Sequence, residues 1–191
     1  MTDTRLVAMP ATRLPAWLHR TMAEYVESRM QAGESREQAE ANEQQSRDRW
    51  FPDGSPADGH LVWEVLDQDD TVVGSLWIGP FTTGSTDWWV FDVEIDEAHR
   101  RRGHARRALE LGHRAAAERG ATSIGLNVFG YNTGAQELYA ALGYQVTSAQ
   151  MREAAALAQD GRGRGAGHNT PPAWPPSGHE VSAGRARNDV S

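Results

Sequence analysis

The stretch Arg100-Arg101-Arg102-Gly103-His104-Ala105 lies where the chain changes its hydrophobic period. Before it, residues 87–95 are rich in tryptophan, valine and isoleucine, as strands are. After it, apolar residues recur at three- and four-residue steps as far as Gly120, which predicts a helix over residues 103–119. The quoted stretch is therefore predicted to join the end of a strand to the start of a helix.

This junction has the composition of an anion-binding loop. The first backbone N–H groups of a helix have no intrahelical partner and lie at the positive end of its dipole. Gly103 has no Cβ to block a close approach, successive amides can form an anion nest, and the arginines add positive charge. The stretch predicts a phosphate-binding loop, and a solvated basic loop that begins a helix is the alternative.

A second segment follows a predicted strand at residues 123–128 and reads Asn132-Thr133-Gly134-Ala135-Gln136-Glu137-Leu138-Tyr139-Ala140-Ala141-Leu142-Gly143-Tyr144. Asn132 is a suitable N-cap for a helix, and Gly143 is a suitable stop. Ala135, Leu138 and Tyr139 recur on one apolar face between these two ends. The segment predicts a short helix that packs against the sheet.

Taken together, these two segments resemble the GCN5-related N-acetyltransferase (GNAT) superfamily. The pattern Arg/Gln-x-x-Gly-x-Gly/Ala is matched by Arg100, Gly103 and Ala105. The pattern Asn-x-x-Ala-x-x-x-Tyr-x-x-x-Gly-Phe is matched by Asn132, Ala135, Tyr139 and Gly143, with Tyr144 in place of the phenylalanine. The resemblance extends in element order from residue 5 to about residue 152 and is motif-specific over residues 91–144.

The remaining patterns predict a mixed α/β (α+β) fold with a largely antiparallel central sheet flanked by helices. A first strand is predicted at residues 5–9, two helices at residues 14–32 and 36–50, three strands at residues 61–66, 71–78 and 87–95, and a closing strand at residues 144–151. We expect residues 1–152 to form a GNAT acetyltransferase domain. Residues 153–191, rich in glycine, proline and arginine, are expected to be a disordered C-terminal tail.

The resemblance implies that acetyl-CoA is the co-substrate and lies in a cleft between splayed strands. Backbone groups near Val93 and Ile95 would pair with the pantetheine arm, and the amides that follow Arg100 would hold the pyrophosphate. Asn132 would contact the pantetheine side. The cofactor-binding residues that the resemblance implies are Val93, Ile95, Arg100, Arg101, Arg102, Gly103, His104, Ala105, Arg106, Asn132 and Ala135.

Two catalytic roles are expected. The resemblance implies that Tyr139 donates a proton to the departing thiolate, and an ordinary core tyrosine is the alternative. Glu94 is the candidate general base, and Asp92 lies on the same side of the strand because residues two apart point the same way. Such a pair would accept a proton and attract a cationic amine, whereas the polar side of a strand that faces solvent is the alternative.

Bulk composition limits the other classes of function. The chain has 191 residues, a net charge of −7 and no cysteine, which argues against a nucleic-acid partner and excludes disulfides and cysteine-ligated zinc. The histidine spacing predicts no metal site. The absence of a signal sequence and of a membrane-spanning apolar run predicts a cytoplasmic protein with no membrane partner. The tryptophans of the three central strands are expected in the core, with one or two beside the acceptor.

The expected function is therefore an N-acetyltransferase that uses acetyl-CoA and an amine-bearing acceptor, small molecule or peptide, in a ternary complex. A homodimer is left open. A ribosomal-protein-type N-terminal acetyltransferase is one alternative, although Asn127 stands where some of those enzymes carry a glutamate. A non-catalytic acyl-CoA sensor is a second. An RNA-binding role for the arginines is a third, which the acidic charge disfavours.

Overall fold

The computed structural model describes residues 3–149 and residue 151. Within them, the strands and helices run in the order β1 (Arg5–Ala8), α1 (Leu14–Gln31), α2 (Arg36–Trp50), β2 (Leu61–Leu66), β3 (Val72–Pro80), β4 (Asp87–Ile95), α3 (His104–Glu118), β5 (Ser123–Leu126) and α4 (Thr133–Ala141). This order confirms the predicted mixed fold. The predicted tail at residues 153–191 lies outside the described residues and stays a prediction.

The five strands form one sheet in the order β1-β2-β3-β4-β5. The pairs from β1 to β4 are all antiparallel. A short turn joins β2 to β3 and a loop joins β3 to β4, whereas helices α1 and α2 lie between β1 and β2. In the turn between β2 and β3, the Asp67 carboxylate accepts hydrogen bonds from the backbone of Asp69 and Thr71. β5 is parallel to β4, since α3 carries the chain back between them.

The strands β4 and β5 separate part of the way along β4. Their pairing begins at Asp87 with Ser123 and ends at Val90 with Leu126. β4 nevertheless continues to Ile95, still paired with β3 on its other edge. The edge of β4 that faces β5 therefore has no strand partner beyond Val90 within the described residues. The sheet opens there into the splayed cleft that the sequence predicted.

A β-bulge in β4 lies at the point where the strands separate. Trp77 of β3 is opposite Asp92, whereas the next residue, Ile78, is opposite Val90. Phe91 is the extra residue, and it stacks on the ring of Trp77 with centroids 4.6 Å apart. Because a bulge places its two residues on the same side, Asp92 projects from the same face of the sheet as Phe91.

The two faces of the sheet have separate cores. On what we call the α3 face, helices α3 and α4 pack through Ala108, Leu109, Ala116, Ala135 and Tyr139 against residues that include Val65, Val73, Leu76, Ile78, Val93 and Ile95. On the α1 face, helices α1 and α2 build an aromatic core of Trp17, Leu18, Met22, Trp50, Phe51, Val62, Trp77 and Phe91. Both helical layers bury apolar stripes of the predicted period.

The α1–α2 hairpin is held at its turn by polar contacts. Gly33, with φ 97°, ends the first helix, and the predicted capping box of Ser35 and Gln38 begins the second. The buried Arg29 donates to both carboxylate oxygens of Glu34, at 2.8 and 2.6 Å, and also to the hydroxyl of Tyr25. The hairpin therefore presents a defined surface of α1 to the sheet.

The predicted closing strand at residues 144–151 is wrong for the residues that the structure describes there. Residues 144–149 and residue 151 have no strand geometry, and Val146 is 87% exposed. β5 ends at Leu126, two residues before the predicted end of that strand. Alternation of polar and apolar residues over this stretch was too weak a signal, because a strand forms only where its apolar side is buried against neighbours.

Candidate active site

The loop between β4 and α3 has the backbone of an anion nest. It contains a 3₁₀ turn at Glu97–His99 and two left-handed residues, Arg101 with φ 62° and Gly103 with φ 88°. α3 begins at His104, and no side chain of the described residues caps its N-terminus. The first amides of α3 are therefore available to an anionic group, which is the geometry that phosphate binding requires.

The side chains of this loop have different roles. Arg100 donates from Nε to the carbonyl oxygen of Ile95 at 2.8 Å, so it ties the loop to the end of β4. Arg101 and Arg102 are exposed on the loop, and Arg106 is exposed on the first turn of α3, where its Nη1 donates to the carbonyl oxygen of Ala141 at 3.5 Å. They can reach phosphate groups that lie beyond the amides.

His104 faces the interior rather than the loop. Its Nδ1 is 3.0 Å from the hydroxyl oxygen of Thr4, in a contact where both residues are buried, and burial lowers the pKa of the imidazole. The imidazole thus attaches the start of α3 to the segment that precedes β1. The imidazole therefore does not line the surface of the loop, and His104 would meet a phosphate through its backbone amide.

Across the cleft, α4 begins as predicted at Asn132. The Asn132 side chain is buried and accepts a hydrogen bond from the backbone N–H of Ala135 at 3.2 Å, while Ala135 packs into the core of the α3 face. Asn132 is therefore a true N-cap, and it holds α4 beside the cleft. On the other wall, the side chains of Val93 and Ile95 point into the same core, which leaves the backbone of β4 to meet a ligand.

Tyr139 lies on the buried side of α4, in the core of the α3 face. It is 4% exposed, and its ring packs edge-on to Tyr144 with centroids 5.7 Å apart. Burial raises the pKa of its hydroxyl well above the usual value, and the negative charge of Asp92 raises it further. The hydroxyl therefore stays protonated and can act as a donor.

Asp92 and Glu94 project from the opposite face, as the two-residue alternation predicted. Asp92 is 4% exposed, and its Oδ2 has no hydrogen-bond partner among the described residues. Burial raises the pKa of this carboxyl well above its usual range, with further contributions from the charges of Glu94 and Glu24 and an opposing one from Arg20. The Glu94 side chain is 17% exposed, and its Oε2 lies 3.9 Å from Nε of Arg20.

Arg20 and Glu24 were not found by sequence reasoning. They come from α1, which docks on the sheet through a 3.0 Å hydrogen bond from the indole N–H of Trp17 to the hydroxyl of Ser75. Residues three and seven positions after Trp17 share its side of the helix. This spacing was visible in the sequence, but nothing there indicated that Trp17 would meet the strand next to Glu94.

Two large aromatic residues of α1 have structural roles. Trp17 is buried in the aromatic core, and the hydroxyl of Tyr25 accepts from Arg29 at 2.6 Å. Trp89 is the tryptophan that lies beside the cleft on the α1 face. It covers Gly125 so closely that a Cβ there would lie 2.2 Å from its ring, and its indole N–H has no partner among the described residues.

Within residues 3–149, no three His, Asp or Glu side chains are grouped as a metal ion would require. No helix in that range combines the length and the apolar character of a membrane span.

This chain is similar to known acetyltransferases in sequence and in fold. A family model described as acetyltransferase (GNAT) family matches residues 18–144. The uncharacterized N-acetyltransferase YycN of Bacillus subtilis (strain 168) is 28% identical over 148 residues, which are 76% of this chain and 95% of that protein. The crystal structure of YycN aligns with a TM-score of 0.72 at 27% identity, covering 80% of this chain and 98% of that one. A GCN5-related N-acetyltransferase from Ralstonia eutropha JMP134 shares the fold, with a TM-score of 0.53 at 17% identity over 81% of this chain and 99% of that one.

Proposed function

This chain belongs to the acetyltransferase (GNAT) family, and from that premise we propose that it transfers the acetyl group of acetyl-CoA to a primary amine. As an acyltransferase, it needs a site for an anionic carrier next to a site for the acceptor. The observation that carries the proposal is the uncapped start of α3, which lies at the end of β4 just beyond the point where β4 leaves β5. Free backbone amides at a helix start suit a phosphate group. An open strand edge suits an extended arm that carries amide groups of its own.

The residues of the cofactor side would act mainly through the backbone. The amides from Arg101 to Arg106, including those of Gly103, His104 and Ala105, would hold the pyrophosphate, and the exposed guanidinium groups would meet the outer phosphates. The free edge of β4 at Val93 and Ile95 would pair with the pantetheine arm. Asn132 and Ala135 would support the other wall, because the cap between them keeps α4 in place.

Transfer requires the amine to lose a proton, attack the thioester carbonyl carbon and expel the sulfur. We assign the first proton to Glu94, directly or through a water molecule, since Glu94 is the less buried carboxylate of the pair on β4. The carbon–nitrogen bond forms, the carbon–sulfur bond breaks, and Tyr139 supplies the proton that the leaving sulfur takes up. The raised pKa of Tyr139 suits a donor that must stay protonated until that moment.

A thiol-release assay tests the proposal directly. The purified chain is incubated with acetyl-CoA and a panel of primary amines, and free thiol is read with time. We expect thiol release that depends on the amine. Binding of acetyl-CoA by calorimetry without any amine-dependent thiol release would instead favour an acyl-CoA sensor, and turnover restricted to peptides would favour an N-terminal acetyltransferase.

The role of Glu94 has its own test. Glu94→Gln keeps the shape of the side chain and removes its charge and basicity. We expect the largest loss of activity below the pKa of the acceptor amine and partial recovery at high pH, where free amine is present without help from a base. A pH–rate profile parallel to that of the unmodified protein would reduce Glu94 to a structural residue.

A further inference from the structure

His60 is a buried polar residue that the proposed reaction does not use. It lies directly before β2 and is 9% exposed, inside the aromatic core of the α1 face. Its imidazole packs on the rings of both Trp50 and Phe91, with centroid distances of 4.8 and 4.9 Å. Gly79 makes room for it, because a Cβ there would lie 2.6 Å from the imidazole. A histidine buried in this way is stable only if its ring nitrogens have hydrogen-bond partners.

The indole of Trp77 is the partner of one ring nitrogen. Its N–H donates to Nδ1 of His60 at 2.9 Å, and both residues are buried. An indole nitrogen can only donate, so Nδ1 must be the unprotonated nitrogen of the imidazole. Burial lowers the pKa of His60 to about 4, against the opposing effect of a hydrogen bond to the backbone of Pro80, and the ring is therefore neutral at neutral pH. His60 is a fixed neutral acceptor that orients the Trp77 ring.

Trp77 in turn holds the ring of Phe91. The two rings stack with centroids 4.6 Å apart and an angle of 18° between their planes, and both side chains are fully buried. Phe91 also contacts Trp50 and His60, so three rings surround it. Because side chains in a close-packed core cannot move independently, the orientation of Trp77 determines where the Phe91 ring lies.

Phe91 is the extra residue of the β4 bulge, at the point where the candidate site opens. β4 pairs with β5 only as far as Val90, and the residue that follows Phe91 is Asp92. A bulge bends its strand and changes the direction of the side chains beside it. A shift of Phe91 would therefore move the carboxylates of Asp92 and Glu94. Every step from His60 to this bulge is a direct contact: a hydrogen bond to Trp77 and ring contacts with Phe91.

Resting on the proposed function, we propose that His60 is a positioning residue for acetyl transfer. Its Nδ1 orients the indole of Trp77, the indole and the imidazole hold Phe91, and Phe91 places the bulge that directs Asp92 and Glu94 towards the acceptor. The pyrophosphate side depends less on these contacts, because the amides proposed to bind it belong to α3, which packs on the opposite face of the sheet. Loss of the acceptor at His60 should therefore impair use of the amine more than binding of acetyl-CoA.

His60→Phe isolates the hydrogen bond. It keeps a ring in the core but removes the acceptor, which leaves the indole N–H of Trp77 buried without a partner. We expect kcat/KM for the amine to fall by roughly 10- to 10²-fold, since a misplacement of ~1 Å can cost ~10²-fold. The affinity for acetyl-CoA, measured by calorimetry, should change little. His60→Asn returns an acceptor oxygen near the place of Nδ1, so its kcat/KM should lie closer to that of the unmodified protein than to that of His60→Phe.

Phe51→Leu is the matched control for a general loss of core stability. Phe51 is 2% exposed in the same aromatic core, and its ring contacts are with Trp17 and Trp77. The variant leaves the hydrogen bond between Trp77 and His60 in place. We expect it to lower the melting temperature while kcat/KM for the amine stays close to that of the unmodified protein. An equal loss of kcat/KM in Phe51→Leu and His60→Phe would overturn the proposal.

Hydrogen–deuterium exchange makes the test independent of turnover. We expect the backbone amides of residues 90–94 to exchange faster in His60→Phe than in Phe51→Leu. Equal exchange of these amides in the two variants would overturn the proposal, as would unchanged kcat/KM in His60→Phe or no recovery in His60→Asn. If the unmodified protein released no thiol, the proposed transfer would be refuted, whereas faster exchange at residues 90–94 in His60→Phe alone would still support the hold of His60 on the bulge.

Discussion

The α3 face and the α1 face of the sheet each carry half of the candidate site, and they are made of different groups. On the α3 face the proposed ligand-binding groups are backbone amides at the start of α3 and along the edge of β4, while the side chains that pack beneath them are apolar. On the α1 face the candidate groups are the carboxylates of Asp92 and Glu94, set beside a core of tryptophan and phenylalanine.

This difference has a functional consequence. Backbone amides recognise a part that is the same in every acyl-CoA, so the α3 face can be built from a short motif. Side-chain carboxylates at specific positions would instead select among acceptors, and their surroundings depend on how α1 docks on the sheet. Changes on the α3 face should therefore abolish binding or chemistry, whereas changes on the α1 face should alter acceptor preference and stability.

The largest effect is expected at Gly103 on the α3 face. Gly103→Glu places a side chain and a negative charge where the pyrophosphate would bind, so we expect no measurable binding of acetyl-CoA by calorimetry. Gly103→Ala is the control, because both variants strain the same left-handed backbone at φ 88° but only the glutamate adds charge and bulk. Unchanged affinity in a folded Gly103→Glu protein would place the cofactor elsewhere.

Tyr139→Phe tests the proton donor on the same face. The ring and its packing remain, and acetyl-CoA is held mainly by backbone groups, so its affinity should change little. The hydroxyl acts only when the sulfur departs, and we expect kcat to fall by ~10²–10⁴-fold, the usual contribution of a general acid.

Tyr144→Phe is the matched control for Tyr139→Phe. It removes the hydroxyl that contacts His113 at 2.7 Å, on the far side of the neighbouring ring, and should leave kcat nearly unchanged. A kcat of Tyr139→Phe within about twofold of the unmodified protein, far short of that range, would leave Tyr139 as a core aromatic residue.

Gly125→Ala probes the α1 face beside the cleft. The added Cβ would lie 2.2 Å from the ring of Trp89, so the indole must move or the strands must separate. Such overpacking costs roughly 1–3 kcal/mol, and we expect a lower melting temperature with a weakened acceptor site. Gly130→Ala is the control, since a Cβ at Gly130 meets nothing within 4 Å. Equal melting temperatures for the two variants would show that Trp89 does not wall this part of the sheet.

The smallest effect is expected from Asp92→Asn, and it depends on pH. Because folding raises the pKa of Asp92, its ionisation destabilises the folded state, and the penalty grows as pH rises from about 4 through the folded pKa. Asparagine does not ionise, so Asp92→Asn should gain in melting temperature relative to the unmodified protein between pH 4 and pH 8. We expect a relative gain of roughly 2–4 °C, about 1 kcal/mol for a domain of this size.

Asp69→Asn, in the exposed β2–β3 turn, controls for the change in net charge in this experiment. If the difference in melting temperature between Asp92→Asn and the unmodified protein were constant over this pH range, Asp92 would have to be paired inside the folded protein.

Much of the α3 face could be predicted from local sequence. Neighbours within a few residues set three of its features: the change of period at residues 100–105, the N-cap at Asn132 and the place of Tyr139 on an apolar stripe. The structure has all three as predicted. The inward turn of His104 could not be predicted, because its partner, Thr4, is 100 residues away. The prediction of a closing strand at residues 144–151 was wrong for the same reason, since the local sequence does not show whether a neighbouring strand is available to pair with it.

What the sequence by itself determined is the order and type of the elements, the family motifs and the alternation that places Asp92 and Glu94 on one side of β4. These depend on backbone periodicity, helix ends and glycine, which act over a few residues. Only the tertiary structure decided that a bulge at Phe91 sets the face of Asp92, that Trp17 docks α1 on Ser75, and that Arg20 and Glu24 thereby join the carboxylates. Contacts between distant segments depend on how whole surfaces pack, and no local pattern encodes that packing.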